Sequence, residues 1–357
     1  MNGLFDSPVG GGSGILGDIG ASSSDKVKIM VIGVGGAGCN TINRLSQMGI
    51  KSAETIAVNT DNLHLKMISA DKKILIGRSI TKGLGAGGFP EVASKCAQVS
   101  KDELRAAIDG VQLLFLCAGM GGGTGTGASP VIAQLAKEQG AIVVSMVTYP
   151  FSLERIRMQK AVWGIEELKK ASDTVVIIDN NRLVSYVPNL PLNQAFAVAD
   201  ELTAHAVKGI SDTIMFPSLV NIDFADMRAI MGNAGVAMIS VGDGKGNDKV
   251  RQVVKSTLDH PLLDIDYTGA RGALIHIAGG ANLTLGEATS IGEQLTEAFY
   301  EEANVIWGAR LDPAMGDTVR VTSIMTGITS PHIVGKTTVE GEKAANFDLS
   351  GVEQIML

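Results

Sequence analysis

Nine residues, Gly119-Met120-Gly121-Gly122-Gly123-Thr124-Gly125-Thr126-Gly127, hold six glycines and two threonines. A largely apolar run, Val111 to Ala118, precedes them, and a run of helical character, Ala128 to Gln139, follows. The pattern predicts a buried strand, a glycine loop and a helix N-terminus. Glycines let the backbone approach an anion closely, and successive N–H groups can converge on phosphate oxygens. The helix start adds unpaired donors and the positive end of its dipole. Thr124 and Thr126 can add hydroxyl donors. A flexible linker is the alternative, and the tight flanking by two buried-type elements weighs against it. The chain has no G-x-x-x-x-G-K-[ST] segment, so this is not a Walker-type loop. No lysine sits in it to offset phosphate charge. Backbone amides, the dipole and a bound Mg2+ are left to do so.

A second glycine loop lies upstream. The apolar segment Lys28 to Ile32 runs into Gly33-Val34-Gly35-Gly36-Ala37-Gly38-Cys39-Asn40, then into a helix with Ile42, Leu45 and Met48 on one side. Gly33, Gly35 and Gly38 satisfy G-x-G-x-x-G. A further strand, Thr55 to Asn59, ends at Asp61, 23 residues past Gly38, an acid placed for a ribose. Taken alone this is a dinucleotide fingerprint, and an NAD(P)-dependent oxidoreductase is one reading. That reading needs one phosphate loop and a His, Lys or Tyr constellation elsewhere. Two glycine loops at two strand ends suit a nucleoside triphosphate at least as well.

Strand and helix patterns alternate from Lys28 to Ile178, which implies an α/β fold with a doubly wound, mostly parallel sheet of Rossmann type. A long helical stretch, Gln194 to Met215, carries Ala195, Val198, Leu202, Ala206, Ile210 and Ile214 on a 3–4 rhythm, as a central buried helix would. Phe196 and Asp200 lie four apart on one face of it. Phe196 can stack on a purine, and Asp200 can accept hydrogen bonds from guanine N1–H and its exocyclic amine. A carboxylate in an apolar helix is costly without a partner. Strands near 234–241, 271–278, 303–309 and 318–327 alternate with helices near 247–258 and 284–299, a second, smaller α/β unit beyond the long helix. The expected division is therefore a tail at 1–25, a nucleotide-binding domain at 26–193, the central helix at 194–217, a smaller domain at 218–328 and a tail at 329–357.

Net charge is −7 with no basic run, which argues against nucleic-acid binding and adhesion to an anionic membrane. The three cysteines, Cys39, Cys96 and Cys117, lack C-x-x-C spacing, and the five histidines are scattered, so no protein-built metal site is expected. No apolar run reaches the roughly 18–20 residues that span a bilayer, and no signal peptide is visible.

Taken together, these motifs resemble the tubulin/FtsZ family over roughly 26–328. The matching segments are 33–40, 121–127, Asn59-Thr60-Asp61, Gly83 to Gly88, Asn221 to Asp226 and Gly316 to Thr322. The resemblance implies a GTPase that binds GTP/GDP with Mg2+ held through phosphates and water. It also implies head-to-tail polymerisation into protofilaments of the cell-division ring, in the cytoplasm at mid-cell. The nucleotide contacts it implies are Gly35, Gly36, Ala37 and Asn40, with Asn59 and Asp61, and Gly119, Gly121, Gly122, Gly123, Thr124, Gly125, Thr126 and Gly127. Gly85, Ala86 and Gly87 would cover the γ-phosphate, a surface turn being the alternative. Glu154 and Arg157 would contact ribose and phosphates. Their segment, 150–157, is one residue shorter than the family's and lacks its glycine, which leaves Arg155 open as the partner and a solvated Glu–Arg pair as the bland reading. Asn180 would bond the ribose or base, or cap a helix. Asp223 and Asp226, aided by Asn221, would complete the active site of the next subunit; helix capping explains the two carboxylates equally well from sequence. The short segment and the proline-free tail, Phe347 to Leu357, are similar to archaeal members. That tail can dock a membrane tether or another division protein.

Overall fold

The computed structural model describes residues 27–216, 218–220, 222–232, 235–259 and 270–328. The expected tails, 1–25 and 329–357, and Asn221 lie outside the described residues. The first strand shows why the sheet forms. In β1 (Ile29–Val34) every residue is buried. Met30, Ile32 and Val34 enter one core, while Ile29 and Val31 enter another on the opposite face. A strand apolar at every position can satisfy its period of two only by being covered on both sides.

Along the chain follow α1 (Gly35–Gln47), β2 (Glu54–Asn59), α2 (Asn62–Met67), β3 (Lys72–Leu75), α3 (Arg78–Thr81), α4 (Pro90–Val99), α5 (Lys101–Ala107), β4 (Leu113–Gly119), α6 (Thr124–Glu138), β5 (Ile142–Tyr149), α7 (Arg155–Ala171) and β6 (Thr174–Asp179). Then come α8 (Asn180–Tyr186), α9 (Leu192–Met215), α10 (Phe224–Met231), β7 (Gly235–Lys245), α11 (Lys249–Leu258), β8 (Gly272–Gly279), α12 (Leu285–Thr296), β9 (Asn304–Leu311) and β10 (Thr318–Thr326). The sheet order is β3-β2-β1-β4-β5-β6-β7-β10-β8-β9. Strands β1 to β6 are parallel throughout. Strand β10 lies antiparallel between β7 and β8, and β9 runs parallel to β8. Sequence patterning treats the second set of strands as a separate unit. The backbone joins it to the first, because Thr174, Val175 and Val176 of β6 pair with Gly235, Val236 and Ala237 of β7.

Helices α4, α5, α6 and α7 cover one face of the parallel strands, and α1, α2, α9 and α10 the other. A third core lies under α11 and α12, around Val253, Ile275, Ile291 and Val321. The chain order reverses between β1 and β4, and the helices that follow those two strands lie on opposite faces. That is a topological switch point, where open α/β sheets form a crevice beyond the strand ends.

Helix α9 has 24 residues, about 36 Å at 1.5 Å per residue. It runs alongside α1. Near its start Thr41 donates to Asp200 at 3.1 Å and Arg44 pairs with Glu201 at 3.0 Å. Near its end Ser52, in the connection from α1 to β2, donates to Asp212 at 2.6 Å, and its Oγ lies 2.9 Å from Ser211 Oγ. Helix α9 therefore descends from the carboxyl edge of the parallel strands to their amino edge.

Helices α4 and α6 meet at Gly127, where a Cβ would overlap the Pro90 carbonyl oxygen. Gly127→Ala should cost roughly 1–3 kcal/mol of stability. Gly36→Ala, where a Cβ meets nothing within 4 Å, should stay within about 0.5 kcal/mol. Denaturant unfolding of both variants measures this, and equal losses would contradict the packing.

Candidate functional site

The crevice between β1 and β4 is built from two helix N-termini. Helix α1 starts at Gly35 with no side-chain cap, and α6 starts at Thr124 likewise uncapped. Elsewhere α2, α10 and α12 are capped by Asp61, Asp223 and Thr284. The first-turn donors of α1 and α6, which no side chain caps, therefore meet at this crevice. The two loops touch. Gly35 has φ +74°, and a Cβ there would lie 2.8 Å from Gly125 N; one on Gly119 would lie 2.7 Å from the Ala37 Cβ. Gly36 and Gly122 face open space, and Gly36, Ala37 and Asn40 are exposed.

Helix α6 begins four residues earlier than the sequence pattern suggests, and this reassigns part of the expected cradle. A Cβ on Gly125 would overlap the Gly119 carbonyl oxygen, and Gly127 packs on Pro90. Both are small so that backbones can touch. Thr126 is buried, and its hydroxyl accepts from Gly121 N at 2.9 Å. It braces the loop. Gly122 is the position of this loop that opens outward; Gly123 packs instead against Ala86 and Phe89 N.

A third loop closes over the second. Asp61 and Leu84 form an isolated bridge, Asn62 N donates to Gly83 O, and Gly85 N donates to Thr60 O. Gly85, Gly87 and Gly88 all have positive φ, a backbone that L side chains rarely adopt. Thr60 and Thr124 share a hydroxyl hydrogen bond at 2.7 Å. Lys160 of α7 donates to Gly88 O at 2.7 Å and lies 5.4 Å from the centre of the Phe89 ring. Two expected contacts turn inward. Asn59 is buried, and its Oδ1 accepts from Thr60 N and Asp61 N. Asp61 Oδ1 caps α2 through Leu63 N and His64 N, so that oxygen is not the ribose acceptor of a dinucleotide fold.

The far end of the crevice lies between the starts of α7, α8 and α9. Phe196, 40% exposed, meets Phe151 edge-on at 5.6 Å. Asn181 Oδ1 accepts from Ser152 N and Oγ, tying the β5–α7 connection to α8. Asp179, not Asn180, caps α8. Asn180 Oδ1 is left buried without a hydrogen-bond partner, and a buried acceptor of that kind fits a ligand donor. Glu154 and Arg157 form an ion pair at 2.6 Å. A Cβ on Gly121 would lie 2.7 Å from Arg157 O and 2.9 Å from its Cβ, so Arg157 stands beside the 119–127 loop. Burial pushes the Asp200 carboxyl up to about 6, against the lowering effects of the Thr41 hydrogen bond and Arg44. Burial likewise pushes the Cys39 thiol up to about 12, and that of Cys117 to about 12 with help from the Asp200 charge. Both thiols stay protonated and unreactive.

Asp223 and Asp226 follow the lower end of α9. They form a reciprocal capping box: Asp223 Oδ1 accepts from Asp226 N at 2.8 Å, and Asp226 Oδ2 from Asp223 N at 3.2 Å. Helix α10 ends where Thr174, the first residue of β6, donates to Met231 O. The carboxylate pair is thus remote from the crevice of its own chain. Sequence reasoning missed Thr41, His64 and Lys160, whose partners lie on other elements, and gave Thr60 no role of its own.

The family model described as "Tubulin/FtsZ family, GTPase domain" matches residues 28–188, and "FtsZ family, C-terminal domain" matches 235–329. The chain is 59% identical over 316 residues to cell division protein FtsZ 2 of Methanocaldococcus jannaschii, spanning 88% of this chain and 83% of that one. It is 51% identical over 311 residues to cell division protein FtsZ 2 of Haloferax volcanii, spanning 87% and 78%. Among solved structures it is similar to an empty FtsZ dimer from M. jannaschii, with TM-score 0.81 and 46% identity over 85% of this chain and 89% of that one. A GTPγS-bound protofilament of CetZ2 from Haloferax volcanii, at 21% identity and TM-score 0.73 over 85% and 94% of the chains, shares the fold.

The raised Asp200 carboxyl has a thermodynamic consequence. The unfolded side chain ionises near 3.8 and the folded one at about 6, so the nucleotide-free protein loses stability as pH rises between them. Asp200→Asn removes that loss. The variant should gain on the order of 2–3 kcal/mol relative to the parent from pH 4 to pH 7, read from paired unfolding curves. A difference that does not change with pH would refute the burial argument.

Proposed function

Since the chain belongs to the Tubulin/FtsZ family of GTPases, we propose that it polymerises head to tail and that each subunit completes GTP hydrolysis on its neighbour. It binds GTP and hydrolyses it to GDP and phosphate. The observation that carries the proposal is the separation of the parts. The phosphate crevice lies at the carboxyl edge of the parallel strands, and Asp223 and Asp226 follow the far end of a helix about 36 Å long. A translational repeat brings one to the other and generates an open filament. Exposed apolar side chains suit both ends for contact: Leu63, Met67, Leu84, Phe89, Leu153 and Ile156 on segments around the crevice, Phe216 and Leu219 beyond the foot of α9.

In this reading the triphosphate lies over the first turns of α1 and α6, against Gly36, Gly122 and Thr124, with the 83–88 loop over the γ-phosphate. Phe196 stacks on the base, Asp200 accepts from guanine, Asn180 Oδ1 accepts from base or ribose, and Arg157, held by Glu154, reaches the ribose and phosphates. Among the described residues no group of three His, Cys, Asp or Glu side chains could hold a metal. In this reading Mg2+ would be carried on phosphate oxygens and water. It would supply charge neutralisation that the glycine loops lack. Phosphoryl transfer depends on positioning and electrostatics, and the incoming carboxylates orient water in line with the γ-phosphate. The capping box fixes both carboxylates on one helix end; Asn221 is the third residue assigned to the catalytic loop. Residues 26–193 serve as the GTP-binding unit, 194–217 as the strut and 218–328 as the unit that presents the catalytic loop. No helix among the described residues is long and apolar enough to cross a membrane. The family's place in a cytoplasmic division ring at mid-cell, with a tether or another division protein bound to a tail, completes the reading.

Specific GTPase activity should rise with protein concentration. Asp226→Ala should bind GTP but hydrolyse it slowly. Gly122→Val, which puts a side chain into open space, should fold but bind GTP poorly. Mixing the two restores intact contacts of one orientation, and part of the activity should return. Activity independent of concentration, with no recovery on mixing, would place the whole site within one chain.

A further inference from the structure

Asn40, His64 and Asn59 form a chain of side-chain hydrogen bonds from the crevice into the β2–α2 turn. His64 Nε2 lies 3.2 Å from Asn40 Oδ1, and His64 Nδ1 lies 3.3 Å from Asn59 Nδ2. The inner end has one solution. Asn59 Oδ1 is held by two backbone donors, Thr60 N at 2.9 Å and Asp61 N at 3.3 Å, so its NH2 group is the end that faces His64. An amide NH2 only donates, and His64 Nδ1 must accept. The proton of the neutral imidazole is then on Nε2, which donates to Asn40 Oδ1. With its oxygen engaged, Asn40 turns its NH2 group away from His64, on an exposed residue of the second turn of α1. Asp61 N-caps the helix that carries His64 and accepts from His64 N, so backbone and ring are oriented together.

We infer that His64 is a positioning residue for GTP, fixing the Asn40 amide so that it offers donors and not an acceptor to the nucleotide. The ligand atoms it suits are acceptors: phosphate oxygens, ribose oxygens or a purine carbonyl. The inference rests on the proposed seat of the nucleotide against α1. It adds a residue that touches no ligand, on a turn joined to the 83–88 loop through Asn62 N and Gly83 O. Without His64 the Asn40 amide can rotate, and half of its orientations turn an acceptor toward acceptor atoms.

Calorimetric GDP affinity of the full chain tests this. His64→Ala should weaken binding roughly five- to tenfold, the scale of one hydrogen bond. His64→Gln, which can also accept from Asn59 and donate to Asn40, should bind within about twofold of the parent. His64→Leu keeps the bulk and repeats the test should His64→Ala not fold. In an Asn40→Ala background the His64→Ala change should add nothing, which a merely structural role would not produce. If Asn40→Ala weakens binding but His64→Ala and His64→Leu do not, or if the two losses simply add, the inference fails and the nucleotide seat stands. If Asn40→Ala leaves affinity unchanged, both fail.

Discussion

Backbone contact between the starts of α1 and α6 is the constraint on which the rest of the molecule depends. Gly35, Gly119 and Gly125 meet at distances that leave no room for a Cβ. This closeness lets two uncapped helix ends share one crevice, where their unpaired donors and dipoles add. The sheet order supports it from below. Strands β1 and β4 are neighbours, and their helices leave toward opposite faces, so the two N-termini diverge from a common point. Larger side chains at these positions would force the loops apart and divide one anion site into two weaker ones.

Much of the fold was legible in the sequence because burial on both faces of a parallel sheet leaves continuous apolar runs such as Ile29 to Val34. The long helix was legible because its apolar period persists from Ala195 to Ile214, and the observed helix starts two residues before the expected Gln194, at Leu192. The join between the two sets of strands was not. Three backbone pairs between β6 and β7 make no mark on side-chain patterning. The start of α6 was misplaced for a related reason. Glycine lowers helix propensity, yet Gly125 and Gly127 sit inside the helix because the neighbouring carbonyls of Gly119 and Pro90 exclude anything larger.

The site was legible in its positions more than in its roles. Glycine spacing marked three loops but could not separate glycines that face open space, such as Gly36 and Gly122, from those that pack against backbone. Thr124 and Thr126 look alike in sequence. One bonds Thr60 across loops, and the other is buried under Gly121. Asn180 reads as a cap until Asp179 is seen to fill that role. For Asp223 and Asp226 the capping geometry expected from spacing is present, and it agrees with a catalytic role because a fixed helix end is a precise carrier. His64 and Lys160 carried no motif, since each acts through a residue on another element.

Helix α9 is fastened to the α1 segment at both ends, by Thr41 to Asp200 above and by Ser52 to Ser211 and Asp212 below. A beam pinned at two points can twist or bow between its supports, but it cannot slide. Thr41 and Ser52 belong to one stretch of chain, so a shift of α9 along its axis breaks the upper and lower contacts together. The middle of the beam, where His205 touches Arg320 of β10, becomes the place of greatest leverage on the strands beyond it.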